Sequence, residues 1–339
     1  MYSVKQKGNV KDLTQLAHEV LLRYDIVPDR LKIIQNNGLK TLWKFTYNNE
    51  TKCLKRLKHS KEKSLFRVNS QIHVYNKGGK VAKVYLNIGH EPITEYNGQL
   101  FVLYEWIEGR DLNFSKPSDL CIALEGLGSF HVYSKGYKAA ENVEISSKLG
   151  RWPDQYESMK KRMLKWKEEA KQNSNKGPYN TYLKHIDSII EIADLALNNL
   201  EQSSYDKLTN TELQESCLCH QDYGEGNVIL SGKDLYVIDL DGVTYDLPIR
   251  DLRKIIGKRM EKRGEWNKET IEKILKCYEK SNKLTPEEKE LLKIDLLFPH
   301  WFFATVKNLF KKNKSVSSGK ISAIAKLEKS KLNVLKKMF

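Results

Sequence analysis

One stretch constrains this chain more than any other: Cys219-His220-Gln221-Asp222-Tyr223-Gly224-Glu225-Gly226-Asn227-Val228-Ile229-Leu230, followed closely by Leu235-Tyr236-Val237-Ile238-Asp239-Leu240-Asp241-Gly242. Residue type gives its shape. An apolar run feeds a polar, glycine-containing loop, a short strand follows, Ser231-Gly232-Lys233-Asp234 makes a tight turn, and a second apolar strand ends in carboxylates. Spacing gives its chemistry. His220, Asp222 and Asn227 stand as H-x-D-x-x-x-x-N, and Asp239 lies twelve residues beyond the Asn. Phosphoryl transfer needs such parts together. One carboxylate orients or deprotonates an attacking hydroxyl, while an amide oxygen and a second carboxylate hold magnesium against the phosphates. A plain β-hairpin with its polar residues in water shares these residue types, and D-x-x-x-x-N by itself is common by chance.

Composition narrows the setting. At 339 residues there is room for one large domain or two smaller ones, and 40% hydrophobic with 30% charged residues describes an ordinary globular chain. No stretch reaches the length of a membrane helix, so no membrane partner is expected. The start, Met1-Tyr2-Ser3-Val4-Lys5, has no apolar signal region. Synthesis in the cytoplasm without a signal peptide is the expectation. The net charge is +15, and the segment from Trp301 onward holds ten Lys against one Glu. That asymmetry favours anionic partners such as nucleotide phosphates or an acidic protein surface, with a solvated basic face as the plainer alternative. No nucleic-acid module signature accompanies it. Cys217 and Cys219 alternate beside His220, but C-x-C is not the zinc spacing, and buried strand thiols are expected.

Before the motif, periodicity predicts an amphipathic helix around Leu13–Leu21. Three strands follow: Arg30–Gln35, Thr41–Tyr47 and Thr51–Leu57, with turns at Asn36-Asn37-Gly38 and Asn48-Asn49-Glu50. A helix from Lys61 to Asn76 comes next, then strands at Lys83–Asn87 and Gln99–Tyr104. Glu105-Trp106-Ile107-Glu108-Gly109 ends the last strand in a turn. Between residues 138 and 205, Trp152, Tyr156, Met159, Met163 and Trp166 recur at helical spacing, either as core or as the wall of a pocket. Beyond the motif, Asp246-Leu247-Pro248-Ile249-Arg250-Asp251-Leu252 opens a helix. Thr285-Pro286-Glu287-Glu288 has the residues of a capped helix start. From Ala323 onward, Ile324, Leu327, Leu332 and Leu335 mark a basic amphipathic helix.

Taken together, "CLCHQDYGEGNVIL", "VIDLDG" and "DLPIRDL" resemble the aminoglycoside phosphotransferase and choline kinase superfamily. Within it they are most similar to the CotS family of bacterial spore coat proteins, its CotI-like members in particular. The resemblance implies a bilobal, protein-kinase-like α+β fold. Residues 1–104 would form a small antiparallel β lobe that binds nucleotide, and residues 105–339 a larger, mainly helical lobe carrying the catalytic and substrate residues. It implies ATP and Mg²⁺ as cofactors. Asp222 would be the catalytic base, His220 would support its loop, and Asn227 and Asp239 would be the magnesium ligands, with Asp241 a substitute ligand. The phosphate-clamping lysine falls at Lys55, although Lys52 and Lys58 flank it and any of the three could face solvent. The phosphate loop would run from Gln35 to Lys40, and adenine would bond to backbone around Glu105 and Ile107.

One departure stands out. The helix Lys61–Asn76 should carry a Glu paired with the strand lysine, near Val68 or Asn69, yet its only acid is Glu62, a turn or more too early. Two expectations follow. One is an active Mg-ATP-dependent kinase of an unknown small-molecule hydroxyl acceptor. The other is a catalytically weak or inactive kinase-fold structural protein of the spore coat, contacting other coat proteins through its basic C-terminal helix.

Overall fold

The computed structural model describes residues 10–37, 40–141, 143–312 and 314–338. Contact density divides the chain into two compact units. One holds the described residues up to Ser146 together with Asp222–Thr244; the other holds Ser147–Gln221 and the chain from Tyr245 onward.

The first unit opens with α1 (Val10–Leu21), which buries Leu13, Ala17, Val20 and Leu21 at helical spacing. They pack on Trp43, Phe45, Leu54, Phe101 and Leu103 of a sheet. The sheet is built from β1 (Leu31–Asn37), β2 (Lys40–Tyr47), β3 (Glu50–Leu57), then, after α2 (Lys61–Asn76), β4 (Val84–Tyr85), β5 (Thr94–Tyr96) and β6 (Gln99–Glu105). Its order is β1-β2-β3-β6-β4, with β5 also on β6, and every pairing is antiparallel. Strand alternation divides the residues between two faces. Trp43 and Leu54 go to the core under α1, whereas Leu42 and Lys55, cross-strand partners, belong to the opposite face.

One sequence expectation changes here. The sheet has six strands rather than five, because Asn97 and Gly98, both at positive φ, close a two-residue hairpin that brings Thr94–Tyr96 onto β6. Asn-Gly is the residue pair that a type I′ turn demands. Of the predicted phosphate loop, Gly38 and Leu39 lie outside the described residues, while Asn37 and Lys40 pair across the hairpin. The helix expected from Lys61 to Asn76 forms with those bounds, started by the Ser60 hydroxyl, which accepts from the Lys63 amide. After β6 come β7 (Arg110–Asp111) and α3 (Pro117–Ser134).

The second unit begins with α4 (Trp152–Gln172), α5 (Gly177–Glu201), α6 (Tyr205–Thr209) and β8 (Leu218–Cys219). The intervening hairpin, β9 (Val228–Ser231) and β10 (Asp234–Val237), belongs to the first unit. After β11 (Thr244–Tyr245) come α7 (Ile249–Arg263), α8 (Lys268–Tyr278), α9 (Pro286–Leu297), α10 (His300–Lys312) and α11 (Ser318–Leu335). The predicted start of α9 forms as a capping box: the Glu288 amide donates to Thr285 Oγ1 at 3.1 Å and the Thr285 amide to Glu288 Oε2 at 2.8 Å.

Packing settles the open question about the aromatic residues of α4. Trp152, Tyr156 and Trp166 are buried and form core. Tyr156 also reaches a buried carboxylate, Asp295, which accepts from Arg250 Nη1 at 3.2 Å, Arg253 Nε at 3.3 Å, His300 Nε2 at 2.8 Å and the Tyr156 hydroxyl. With so many donors the charge is satisfied in place, as a buried carboxylate must be. A second buried acid, Glu328 of α11, accepts from the amides of Trp301 and Phe302 at 2.9 and 3.0 Å, closing the open first turn of α10. Lys331, also buried, neutralises it. The apolar side of α11 is therefore packed inside this unit, while Lys320, Lys326, Lys336 and Lys337 remain exposed.

His300 carries a pH dependence. Burial, with Arg253 close by, pushes its pKa down to about 3, even though the Asp295 carboxylate opposes that shift. An unfolded His titrates near about 6.5. Below that pH the unfolded chain takes up a proton that the folded chain refuses, so stability is complete above about 6.5 and is lost progressively toward about 3. Between pH 7 and 5 the parent should lose about 2 kcal/mol more unfolding free energy than His300→Gln, which keeps an N–H donor but does not titrate. Urea denaturation at the two pH values checks this; parallel curves for parent and variant would contradict it.

Candidate functional site

The opposite face of the sheet opens onto a cavity of about 250 Å³ in the first unit, lined by Leu42, Lys55, Val68, Ile107, Asn227 and Asp239 among others. Three attachments hold the hairpin β9–β10 at this cavity. Arg110 and Asp111 of β7 pair with Leu230 and Ile229 of β9. The Val237 amide donates to the Lys80 carbonyl at 2.9 Å. Leu235 seats against Gly126 of α3, where a Cβ would come within 2.0 Å of its Cδ2. Gly109 is less forgiving, since a Cβ there would lie 2.5 Å from the Leu230 carbonyl oxygen, a backbone atom with little freedom to yield.

The loop that enters the hairpin is fixed at both ends. The Tyr223 hydroxyl donates to the Ala123 carbonyl at 2.6 Å, and Glu225 accepts from the Phe114 amide at 2.6 Å. Asn227 donates from Nδ2 to the Asp222 carbonyl at 2.8 Å, which leaves its amide oxygen as the acceptor able to face a cation. At the far end of β10, Asp239 sits at φ 58°, ψ 59°, in the left-handed region. That conformation costs a non-glycine residue on the order of 1 kcal/mol and is found preferentially where side-chain direction matters.

The charged centre follows from this backbone. Lys55 Nζ lies 2.8 Å from Asp239 Oδ1 and 2.6 Å from Asp241 Oδ1. Lys40 Nζ lies 2.8 Å from Asp239 Oδ2 and 3.4 Å from Asp241 Oδ2. Two carboxylates and two ammoniums thus form one cluster. Burial would push the Lys55 pKa down, but the two carboxylates outweigh it and the net direction is up. Burial would push Asp239 up, yet Lys55 and Lys40 win and hold its carboxyl far below the usual range. Asp239 is therefore ionised at any physiological pH. A carboxylate and an amide oxygen on one hairpin are the oxygen donors that a hard dication prefers, and Asp239 already meets two positive charges. The residues fit magnesium.

Lys55 is thus the lysine of the three whose ammonium meets the hairpin acids. Lys52 turns instead to Glu50 and the Tyr85 ring, 3.9 Å from its centroid, while Lys58 also borders the cavity. Glu105 and Ile107 line the cavity too. The Glu105 and Trp106 amides are taken by the Lys83 and Thr51 carbonyls, at 2.9 and 3.0 Å. The Ile107 amide has no hydrogen-bond partner among the described residues. Asp222 is exposed on the entering loop and is not among the lining residues. His220 is buried and belongs to the second unit, where its amide and that of Gln221 donate to Asp251 at 2.6 and 2.9 Å. Asp251 opens α7, so the "DLPIRDL" segment braces the backbone just before the loop.

On α2, Glu62 is exposed in the first turn and Val68 is buried. The polar residues that α2 presents to the cavity are Ser64, Arg67 and Gln71. Sequence reasoning named Lys40 only as the end of the phosphate loop, and it missed Arg67 and the role of Asp241 as a partner of Lys55. The pairing of Lys40 carried a signal only in its place on β2, two positions from Leu42 on the same face.

Gly109→Ala should push β9 off β7 at the cavity rim. The expected cost is about 1–3 kcal/mol of unfolding free energy, measured by urea denaturation. A change below about 0.5 kcal/mol, the level of an ordinary surface substitution, would contradict the packing described.

Solved structures share this fold. An aminoglycoside phosphotransferase from Alicyclobacillus acidocaldarius subsp. acidocaldarius DSM 446 superposes with a TM-score of 0.75 at 14% identity, covering 94% of this chain and 93% of that one. Amicoumacin kinase in complex with AMP-PNP, Ca²⁺ and Ami gives 0.61 at 14% identity, covering 98% and 95%. Spectinomycin phosphotransferase in complex with ADP and spectinomycin gives 0.57 at 14% identity, covering 98% of each. At such identities the likeness establishes the fold, an α+β kinase-like fold with an antiparallel sheet and a larger helical part. Spore coat protein S of Bacillus subtilis (strain 168) is 26% identical over 304 residues, which cover 90% of this chain and 87% of that protein. The family model described as "Spore coat putative kinase YutH" matches residues 24–338, nearly the whole sequence, and the chain belongs to that family.

Proposed function

We propose that this chain binds Mg-ATP in the cavity of its first unit and transfers the terminal phosphoryl group to the hydroxyl of a small molecule, as a kinase-like protein of the spore coat. The observation that carries this reading is the buried Lys55 ammonium held by Asp239, on the same hairpin as Asn227 and in the same cavity. That is the lysine, acid and amide set which phosphoryl transfer on this fold employs.

The residues divide the work as follows. The Glu105 carbonyl and the Ile107 amide would meet the adenine edge, with Leu42 and Ile238 on its faces. Asn227 and Asp239 would hold magnesium, which when bound supplies positive charge against the phosphates. Lys55, and Lys40 once it leaves the carboxylates, would hold phosphate oxygens. Asp222 accepts the proton of the acceptor hydroxyl as that oxygen bonds to the terminal phosphorus. The bond from phosphorus to the bridging oxygen breaks, and ADP leaves with the electron pair. His220 and Asp251 would hold the loop backbone that presents Asp222.

A second reading, a structural coat protein with weak or no turnover, is favoured by one observation. Among its described residues α2 offers no acid to the cavity, so Lys55 leans on the carboxylates a metal would claim. Nucleotide binding is compatible with both readings. The exposed lysines of α11 would suit acidic coat partners.

Thermal melts test the nucleotide claim. At ligand concentrations about 100-fold above Kd, Mg-ATP should stabilise the folded chain by about 2.7 kcal/mol, and a clear upward shift in Tm should vanish with EDTA or in Asp239→Ala. No shift in the parent would remove the claim. For the coat assignment, a fluorescent fusion should concentrate on the developing spore; diffuse signal in sporulating cells would contradict it.

A further inference from the structure

The missing helix carboxylate has a counterpart in this cavity, placed on the other side of the ion pair. We infer that Asp241 is the positioning residue for Lys55, holding its ammonium as a helix Glu would, and that the Arg67 charge on α2 supports Asp241 without touching it. The inference rests on the Mg-ATP reading above and assigns the two hairpin acids different duties. Asp239 serves the metal, and Asp241 serves the lysine.

Three observations carry it. The first is proximity: the shortest carboxylate contact of Lys55 is the one at 2.6 Å to Asp241. The Lys55 side chain is only 8% exposed, so it needs a carboxylate at all times. Asp239 cannot be that permanent partner if its oxygens turn to a metal. The second is placement. α2 packs directly on the Leu240–Gly242 turn that carries Asp241. At the turn of α2 where an acid is expected stands Arg67, next to Val68 and lining the same cavity as Asp241. The third is satisfaction. Arg67 Nη1 is buried and has no hydrogen-bond partner, so the guanidinium is carried into the cavity for a reason other than its own contacts. Glu144, the other acid near this end of α2, is paired with Lys63 at 3.2 Å.

The physical logic is one of alternating sign. A cation on α2 beside the Lys55 ammonium would be repulsive unless an anion lay between them. Asp241 touches Lys55 and acts on Arg67 through its charge, so it offsets both cations where other kinase-like sites have lysine and glutamate alone. Burial weakens the hold of Arg67 on its proton, and the Asp241 carboxylate opposes that loss. Both cations are better off with the acid in place.

The test measures two affinities on the full-length chain: Mn²⁺ alone, by electron paramagnetic resonance, and Mg-AMP-PNP, by calorimetry. Asp239→Asn should lose both. Asp241→Asn should keep Mn²⁺ affinity and weaken the nucleotide by about tenfold or more, equivalent to about 1.4 kcal/mol. Adding Arg67→Glu to Asp241→Asn returns a carboxylate from the helix side and should recover most of that loss. Asp241→Glu, which keeps the charge, should stay close to the parent. Asp241→Asn binding nucleotide like the parent, losing Mn²⁺ as well, or gaining nothing from Arg67→Glu would each overturn the inference. If Asp241→Asn does not fold, recovery of a folded, nucleotide-binding chain by Arg67→Glu supports it, and failure to recover overturns it. A parent that binds Mn²⁺ but no nucleotide overturns the Mg-ATP reading itself, and the inference with it.

Discussion

A lysine ammonium carried into the interior on a β-strand has to find carboxylates, because an unpaired buried charge costs far more than a strand can supply. Lys55 is in that position. The register of β3 against β2 and β6 turns it away from the Trp43 and Leu54 core and into the cavity, where Asp239 and Asp241 meet it. Those acids come from a hairpin about 180 residues later in the chain. The first unit is therefore closed by an electrostatic requirement as well as by apolar packing, and the same requirement explains why the hairpin is pinned so firmly at Gly109, Gly126 and Lys80.

The second unit solves a related problem differently. Asp295 and Glu328 are each fully buried, and each is surrounded by donors from neighbouring helices. Their donors satisfy them in place, so these acids read as structural fixtures. Asp239 and Asp241 are about one-third and one-quarter exposed, and both face an open space. Partial exposure beside a cavity is what separates an acid available to a ligand from one spent on packing.

Much of this was legible in the sequence wherever the signal was local. The alternation of β2 and β3, the bounds of α2, the Thr285 capping box and the Asn227-to-Asp239 hairpin all follow from patterns within about 20 residues. What failed to show was either overlooked or non-local. The Asn97-Gly98 turn was a local signal for β5 and could have been used. The reach of Lys40 to Asp239 could not, since periodicity gives a residue its face and not its partner on a distant hairpin. The absence of a helix Glu was visible, but its consequence was not. Only packing reveals that Arg67 lines the cavity there, and that Asp241 rather than a helix acid meets Lys55. Asp222 shows the same limit: its spacing from Asn227 is in the sequence, whereas its exposure on the loop is a property of the fold.

The proposed phosphoryl transfer at this cavity requires that the cluster of two lysines and two aspartates open to admit a metal and phosphates. Crystals grown with Mn²⁺ and AMP-PNP, with data collected at the manganese edge, examine that directly. The account predicts an anomalous peak about 2.1 Å from oxygens of Asn227 and Asp239. Lys40 should have moved to the phosphates, and Lys55 should still be on Asp241. A cavity with no anomalous peak, and with both ammoniums still seated on both carboxylates, would contradict it.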